Sequence, residues 1–438
     1  MRKGLDCVTS PPFTPPVRKG EIGAGSATGC KTTALPIRQT GSSIGFRLVA
    51  SQIEQSHCSQ QMKVPNLMSS AAFLRSPSDQ TDLFAAACSI QFPSTRYQGS
   101  KRKLVEPLKD ALAPLPAGRA LDLYSGTGTV SLLLRSLGHC VTANDYLAFN
   151  ALTARIWLQH LPMVLEAETV AADLKRLIED APVGLPMLVR DNYEGVFFTD
   201  VENEQIDRFC QNVVSLPLPI RDVYTYAVGQ ALLMKRPYNL FHRANLHMRL
   251  KDVPRSFGNA VTWEKSIKSH AVKIVGQLNN IRPSADGLAH TASNRSSLAL
   301  DEFGDFDLVY LDPPYLNRLG QSTDYDKFYH FLDGLSDYSR FGEAPSAKRH
   351  LPSSAKPSAW ATTDAALKEL KDVSDRWPQA TLALSYRSDG LPTLEAIEQV
   401  FRAANRSVTL VPLSDYKYAL AHSDRTVEIL ALAGPVNA

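Results

Sequence analysis

The apolar run Ala120-Leu121-Asp122-Leu123-Tyr124 breaks into Ser125-Gly126-Thr127-Gly128, and a helical stretch from Val130 to Leu137 follows. A buried strand, a glycine elbow and a helix in that order constrain the fold more than any other feature. Two glycines let the backbone turn tightly and approach a ligand closely. Gly138 stands where a left-handed helix cap is needed, and a second strand, His139 to Ala143, ends on Asn144-Asp145. This is the first half of a doubly wound nucleotide-binding sheet, in which the acid tipping the second strand, Asp145, is placed to hold ribose hydroxyls. Position 131 is Ser, so the full G-x-G-x-x-G is missing. That disfavours a dinucleotide and fits an adenosine-bearing ligand without a pyrophosphate, such as S-adenosylmethionine.

A second apolar run, Phe306 to Leu311, ends in Asp312-Pro313-Pro314-Tyr315. At the mouth of a parallel strand these residues make a clamp for a planar amino group. The carboxylate and the first proline's carbonyl accept its two hydrogens, and the ring stacks on the base that carries it. Proline has no N–H and a fixed φ, so its carbonyl is presented without a competing donor. The bland alternative is a Pro-Pro stop after a strand. Methylation at a cytosine ring carbon needs a Pro-Cys nucleophile, and none of the six cysteines follows a proline.

The 438 residues, 44% apolar and 21% charged, suffice for two or three domains and a sizeable core. Net charge is only +3, so any nucleic-acid contact must come from a local basic patch. Scattered cysteines without a C-x-x-C pair argue for reduced thiols in a cytoplasmic protein and against a metal site. No apolar run approaches the ~18 residues of a membrane span. Residues 1–85, rich in Ser, Thr, Gly and Pro and poor in acids, read as a disordered extension or an upstream misassigned start, with Met62 or Met68 as alternative beginnings; an organelle transit peptide is the sharper alternative. Residues 86–160 read as the first half of the sheet, 161–300 as a mainly helical insert, and 301–438 as the second half. Thr199-Asp200-Val201-Glu202 is a capping box, and Tyr224 to Met234 an amphipathic helix candidate. Further strands are expected at 381–385, 407–411 and 426–432, with a Pro-, Ser- and Ala-rich loop over 342–361.

The ordered set Tyr97-x-Gly99-x-Lys101, Asp122-x-Tyr124-x-Gly126-x-Gly128, a long insert and Asp312-Pro313-Pro314-Tyr315 resembles the Dam-like adenine-specific DNA methyltransferases. In this group the target-recognition region lies between the cofactor and catalytic motifs. Phe257-Gly258-Asn259, Tyr329 to Leu332, Ser385 to Gly390 and Lys417-Tyr418 resemble stretches common in the family, and the likeness spans residues 94–434. It implies an α/β fold: the doubly wound, mostly parallel sheet of a class I S-adenosylmethionine-dependent methyltransferase, with an inserted DNA-recognition subdomain. Tyr97, Gly99 and Lys101 would line the methionine end of the cofactor, Gly126 and Gly128 its adenosine side, and Asp145 its ribose; Asp122 and Tyr124 belong to the same motif. Tyr124 and Leu123 stand where Phe and Pro are commoner, and both keep an apolar wall. A lysine near a helix N-terminus is unfavourable, so Lys101 is expected to have a carboxylate partner.

An amino group inside a duplex is out of reach, so the base must be flipped out. Tyr315 is the expected stacking platform, with Tyr329 or Phe331 as a second wall or, for Phe331 above all, as core. Lys235, Arg236, Arg243, Arg249, Lys251 and Arg255 form a basic stretch with aromatics interleaved and Asp252 its only acid; phosphate contact is expected there. Asn245 and Asn259 are candidates for an adenine contact. The expected activity is methylation of adenine N6 in double-stranded DNA by a monomer or weak dimer, with a cognate restriction endonuclease as companion. Methylation of cytosine N4, of RNA or of protein, and a DNA-binding protein with an inactive methylase fold, are the alternatives.

Overall fold

The computed structural model describes residues 96–161, 163–253, 259–281, 283, 286–343, 348–352, 358–414 and 426–436. Residues 1–85, Arg255, Phe257-Gly258, Lys417-Tyr418 and parts of 342–361 lie outside them. Seven strands form one sheet: β1 (Arg119–Asp122), β2 (Cys140–Asn144), β3 (Thr291–Ser293), β4 (Leu308–Leu311), β5 (Thr381–Arg387), β6 (Arg406–Ser414) and β7 (Glu428–Pro435). Their order is β3-β2-β1-β4-β5-β7-β6. The first five are parallel, while β7 runs antiparallel to both β5 and β6.

β4 is apolar at every position because both faces of the parallel sheet are covered. Leu308 and Tyr310 pack with helices Val105–Leu112 and Thr129–Ser136, whereas Val309 and Leu311 pack with Thr363–Arg376 and Leu394–Ala403. The helix after β1 stops where expected, with Gly138 at φ 88 and the His139 N–H donating to the Leu134 carbonyl at 3.1 Å. β3 falls inside the span expected to be insert. It is three residues long and carries no apolar run; its hold on β2 includes a Thr142–Thr291 hydroxyl pair at 2.9 Å and the His290 ring accepting the Val141 N–H at 3.1 Å.

A third cluster of buried side chains joins helices Asp200–Val213, Leu218–Lys235, Ile267–Leu278 and Tyr325–Ser336. The capping box is formed: the Glu202 N–H donates to Thr199 at 3.3 Å and the Thr199 N–H to the Glu202 carboxylate at 3.0 Å. The helix Leu218–Lys235 departs from the amphipathic expectation. It is buried almost all round because other helices pack on it from several sides. No helix among the described residues is long and apolar enough to cross a membrane.

Candidate active site

β1 and β4 are parallel neighbours, with Asp122 level with Tyr310, yet the chain leaves β1 toward β2 and leaves β4 toward β5. Such a reversal opens a crevice at the carboxyl ends of the strands. The glycine elbow leaves the end of β1 and Asp312 the end of β4, so two motifs far apart in sequence face one cavity. Including its solvent-filled mouth it measures about 580 Å³. Tyr97, Gly99, Lys101, Asp122, Tyr124, Gly126, Asp145, Asp312 and Pro314 all line it.

Asp312 anchors a compact charge cluster. Lys101 Nζ donates to its Oδ1 at 2.6 Å, and the Tyr315 hydroxyl lies 2.8 Å from the same oxygen. The carboxylate partner expected for Lys101 is therefore Asp312. Among the described residues no donor reaches Asp312 Oδ2 or the Pro313 carbonyl. Burial pushes the Asp312 carboxyl up; Lys101 works against that push and a second carboxylate, Glu428, adds to it. Lys101 is buried, which disfavours its charge, yet Asp312 and Glu428 together hold its pKa above the usual lysine value.

Two further acids line the cavity. Ser131 donates to Asp122 Oδ2 at 2.6 Å, while Oδ1 is buried without a hydrogen-bond partner. Burial lifts this carboxyl to about 7. Asp145 Oδ2 accepts the Gly126 N–H at 2.8 Å and Oδ1 the Leu147 N–H at 2.9 Å, so the acid tipping β2 braces the glycine elbow. Burial lifts it to about 6 against those two bonds.

The glycines divide in role. Gly126 has φ 50, and a Cβ there would meet only the Tyr124 carbonyl at 3.9 Å, leaving open space for a ligand. Gly128, with φ 67, is not in the cavity wall: a Cβ would collide with the Trp157 indole, whose N–H donates to the Thr127 carbonyl at 2.9 Å. Gly128 thus shapes the elbow from behind.

The aromatic expectations need correction. Tyr315 is half-buried, its ring edge-on to Tyr386 at 5.2 Å, and neither it nor Pro313 is in the cavity wall. Phe331 is a core residue, as expected for it above all, and Tyr329 is core as well and not a second wall. Tyr329 stacks on Tyr97 at 4.0 Å and its hydroxyl accepts the Gln98 N–H at 2.8 Å. Tyr325, one helical turn earlier, lines the cavity instead.

The basic stretch is corrected at three of its six members. Lys235 is buried, donating to the Trp263 and Lys265 carbonyls at 2.6 and 2.5 Å and lying 3.1 Å from Glu202. Arg236 is buried, bonded to the carbonyls of Phe197 and Arg243 at 3.0 and 2.8 Å, with its guanidinium 4.5 Å from the centre of the Phe197 ring. Burial pushes it down to about 9, with Arg249 adding to the effect. Arg249 grips Glu202 with two bonds at 2.9 and 2.7 Å. The stretch holds a single acid of its own, Asp252, but Glu202 reaches it from another helix. Arg243 and Lys251 are exposed, Asn245 is buried, and the Asn259 side chain lies outside the described part.

One residue of the cluster, Glu428 on β7, has no role that its own sequence neighbourhood announces; Ser385, whose hydroxyl donates to it at 3.1 Å, opens the stretch already likened to the family. A lone acid at the head of an apolar strand, Glu428 before Ile429-Leu430, is the available signal.

A mostly parallel sheet of this order, with a carboxylate at the end of β4 beside the cavity, is the class I methyltransferase fold. The chain belongs to the D12 class N6 adenine-specific DNA methyltransferase family, whose model matches residues 97–344. It is an enzyme that methylates adenine N6 in DNA. It is 26% identical over 249 residues to the Type II methyltransferase M2.HphI of Haemophilus parahaemolyticus, a match covering 56% of this chain and 71% of that one.

Proposed function

We propose that the methyl donor is S-adenosylmethionine and that Asp312-Pro313-Pro314-Tyr315 is the catalytic mouth. The observation that carries this is the Asp312 carboxylate held at the rim of the cavity by Lys101 through Oδ1, with Oδ2 left for an incoming amine. The residues present fit the donor. Asp122 Oδ1 is an orphaned buried acceptor suited to its ammonium group, and Gly126 leaves room beside the elbow.

The amino nitrogen of adenine is a poor nucleophile because its lone pair is spread into the ring. Asp312 Oδ2 and the Pro313 carbonyl accept its two hydrogens and draw the nitrogen toward tetrahedral geometry. When bound, S-adenosylmethionine supplies a methyl on a cationic sulfonium, which the nitrogen takes as the S–C electron pair returns to sulfur. Asp312 then receives the proton the nitrogen sheds. What the protein adds is positioning and charge placement, and no covalent enzyme intermediate is needed.

The target adenine leaves a double-stranded duplex by flipping. Arg243, Lys251 and Arg255 contact phosphate, and a cognate restriction endonuclease accompanies the enzyme, as the Type II relative suggests. The test is incubation of the full chain with duplex DNA and tritiated S-adenosylmethionine, followed by mapping of the modified base. The expected result is N6-methyladenine in one sequence context. DNA that acquires no label contradicts the reading.

A further inference from the structure

Asp312-Pro313-Pro314-Tyr315 runs directly into a turn, Leu316 to Ser322, that takes no part in the amine clamp. Leu316 anchors it: the side chain is buried, the residue bridges antiparallel to both Ser322 and Leu391, and its carbonyl accepts the Leu391 N–H at 3.1 Å. Asn317 locks the turn from within. Its Oδ1 accepts the N–H groups of Leu319 and Gln321 at 2.9 and 3.0 Å. Its own N–H donates to the Gln321 carbonyl and its carbonyl accepts the Gly320 N–H, both at 2.9 Å. An asparagine bonded to the backbone two residues on is a built turn, and Gly320 supplies a φ of 70 beside it. On the tip stands Leu319, 80% exposed.

A single exposed leucine needs no explanation; this one differs in its support and its place. A flexible tip would lose freedom on contact, whereas a tip already fixed by its own hydrogen bonds has little left to lose. Leu319 follows Tyr315 by four residues, at most about 14 Å of chain, or about four base-pair rises. The Tyr315 hydroxyl is itself 2.8 Å from Asp312. A duplex that hands a base to Asp312 therefore comes within a few steps of the tip. Beside it, the Arg318 side chain is 67% exposed and lies 3.3 Å from Asp389, a carboxylate that also receives Arg387 at 2.5 Å and Thr426 at 3.1 Å. An apolar tip flanked by an exposed cation suits a duplex, which offers apolar base faces within and phosphates outside. We infer that this turn is the wedge that holds the target adenine outside the helix, with Leu319 pressed between bases beside the vacated position and Arg318 on a phosphate of the target strand. This rests on the flipped-base reading above. A turn that merely closes the strand end would be indifferent to whether the target is paired.

The test is single-turnover methyl transfer by the full chain, at saturating DNA, to duplexes whose target adenine faces thymine or an abasic site. Extrusion costs least where the base has no partner. Leu319→Ala is expected to slow transfer about tenfold on the paired target and to stay within about twofold of the parent on the unpaired one. Its exposed position should leave the melting temperature unchanged, and Leu319→Phe, which keeps an apolar tip, should retain most of the rate. No slowing of Leu319→Ala on the paired target, or equal slowing on both, overturns the wedge. Arg318→Gln should lower the salt slope of DNA binding by about 0.9; an unchanged slope overturns the phosphate contact. A parent that binds the unpaired-target duplex no more tightly than the paired one refutes flipping itself. That is a different result from a parent that prefers the unpaired target while Leu319→Ala transfers to both duplexes as the parent does.

Discussion

Two buried charge clusters in this molecule are built from nearly the same parts and stand in opposite surroundings. Around Asp312, one lysine serves two carboxylates beside a tyrosine ring; around Glu202, one carboxylate serves Lys235 and Arg249, with Arg236 laid on phenylalanine rings close by. The first cluster opens on a cavity and leaves Asp312 Oδ2 uncommitted. In the second, Glu202 receives both cations and caps its own helix, and Lys235 is further bonded to two carbonyls. Burial alone therefore does not distinguish chemistry from scaffolding. An uncommitted atom facing a ligand-sized space does, and shifted carboxyls at Asp122, Asp145 and Asp312 around that space agree with it.

The sharpest way to break this contrast is to truncate one acid in each cluster. Asp312→Ala should lower single-turnover methyl transfer by about 10³-fold or more, while donor affinity stays within about threefold. Retained transfer would remove the amine clamp. Glu202→Ala leaves Lys235 and Arg249 without their shared partner, at a cost of about 3–5 kcal/mol. The melting temperature should drop clearly, while transfer per folded molecule stays near that of the parent. For Glu202, burial opposes ionisation, but Arg249 and Lys235 outweigh it and hold the carboxyl below its usual range. Its contribution is present above the unfolded carboxyl's pKa and is lost as pH falls through the lower folded one. The stability gap between parent and variant should accordingly close in acid; a gap that widens there would contradict the pairing.

A smaller effect sharpens the comparison through pH. In the proposed mechanism Asp312 must be ionised to accept the amine, and burial has raised its pKa. Transfer should therefore fail on acidification earlier than an ordinary carboxylate would dictate. Lys101→Met removes the nearest cation, so the acid limb should move to still higher pH by about one unit. An acid limb that stays in place would show that Lys101 does not set the charge of Asp312. The mildest expectation concerns the surface. Arg243→Ala should reduce the salt slope of DNA binding by about 0.9 for each phosphate the side chain had neutralised, and Arg249→Ala should destabilise the fold. A slope that falls instead with Arg249→Ala would return that residue to the interface.

Much of the sheet was legible because most of its strands are short apolar runs with a turn or acid at one end. β1, β2 and β4 to β7 were all visible in that way, whereas β3 was not, since Thr291-Ala292-Ser293 carries no apolar pattern and is held by side-chain bonds from β2 and His290. The cavity wall was legible where residues share a local motif, as in Asp122 to Gly126. The support behind that wall was hidden where the partner comes from a distant strand, as with Glu428 beside Lys101. The same blindness inflated the basic stretch. Lys235 to Arg255 holds one acid in the sequence, and Glu202 lies on a separate helix, so side chains that are neutralised in the fold resembled a phosphate-binding row. Tyr329 was ambiguous for a related reason, because an aromatic near the end of a strand looks the same whether it faces the cavity or the core.

The central claim is that Asp312 grips the target's amino group, and it is tested most directly by deleting that group from the DNA. Binding is measured in the presence of S-adenosylhomocysteine to duplexes carrying adenine or purine, which lacks the amine, at the mapped target position. The parent should favour adenine by about tenfold or more, as expected for a hydrogen bond to a charged group, and Asp312→Ala should bind both alike. Equal preference for adenine in parent and variant would place the grip elsewhere.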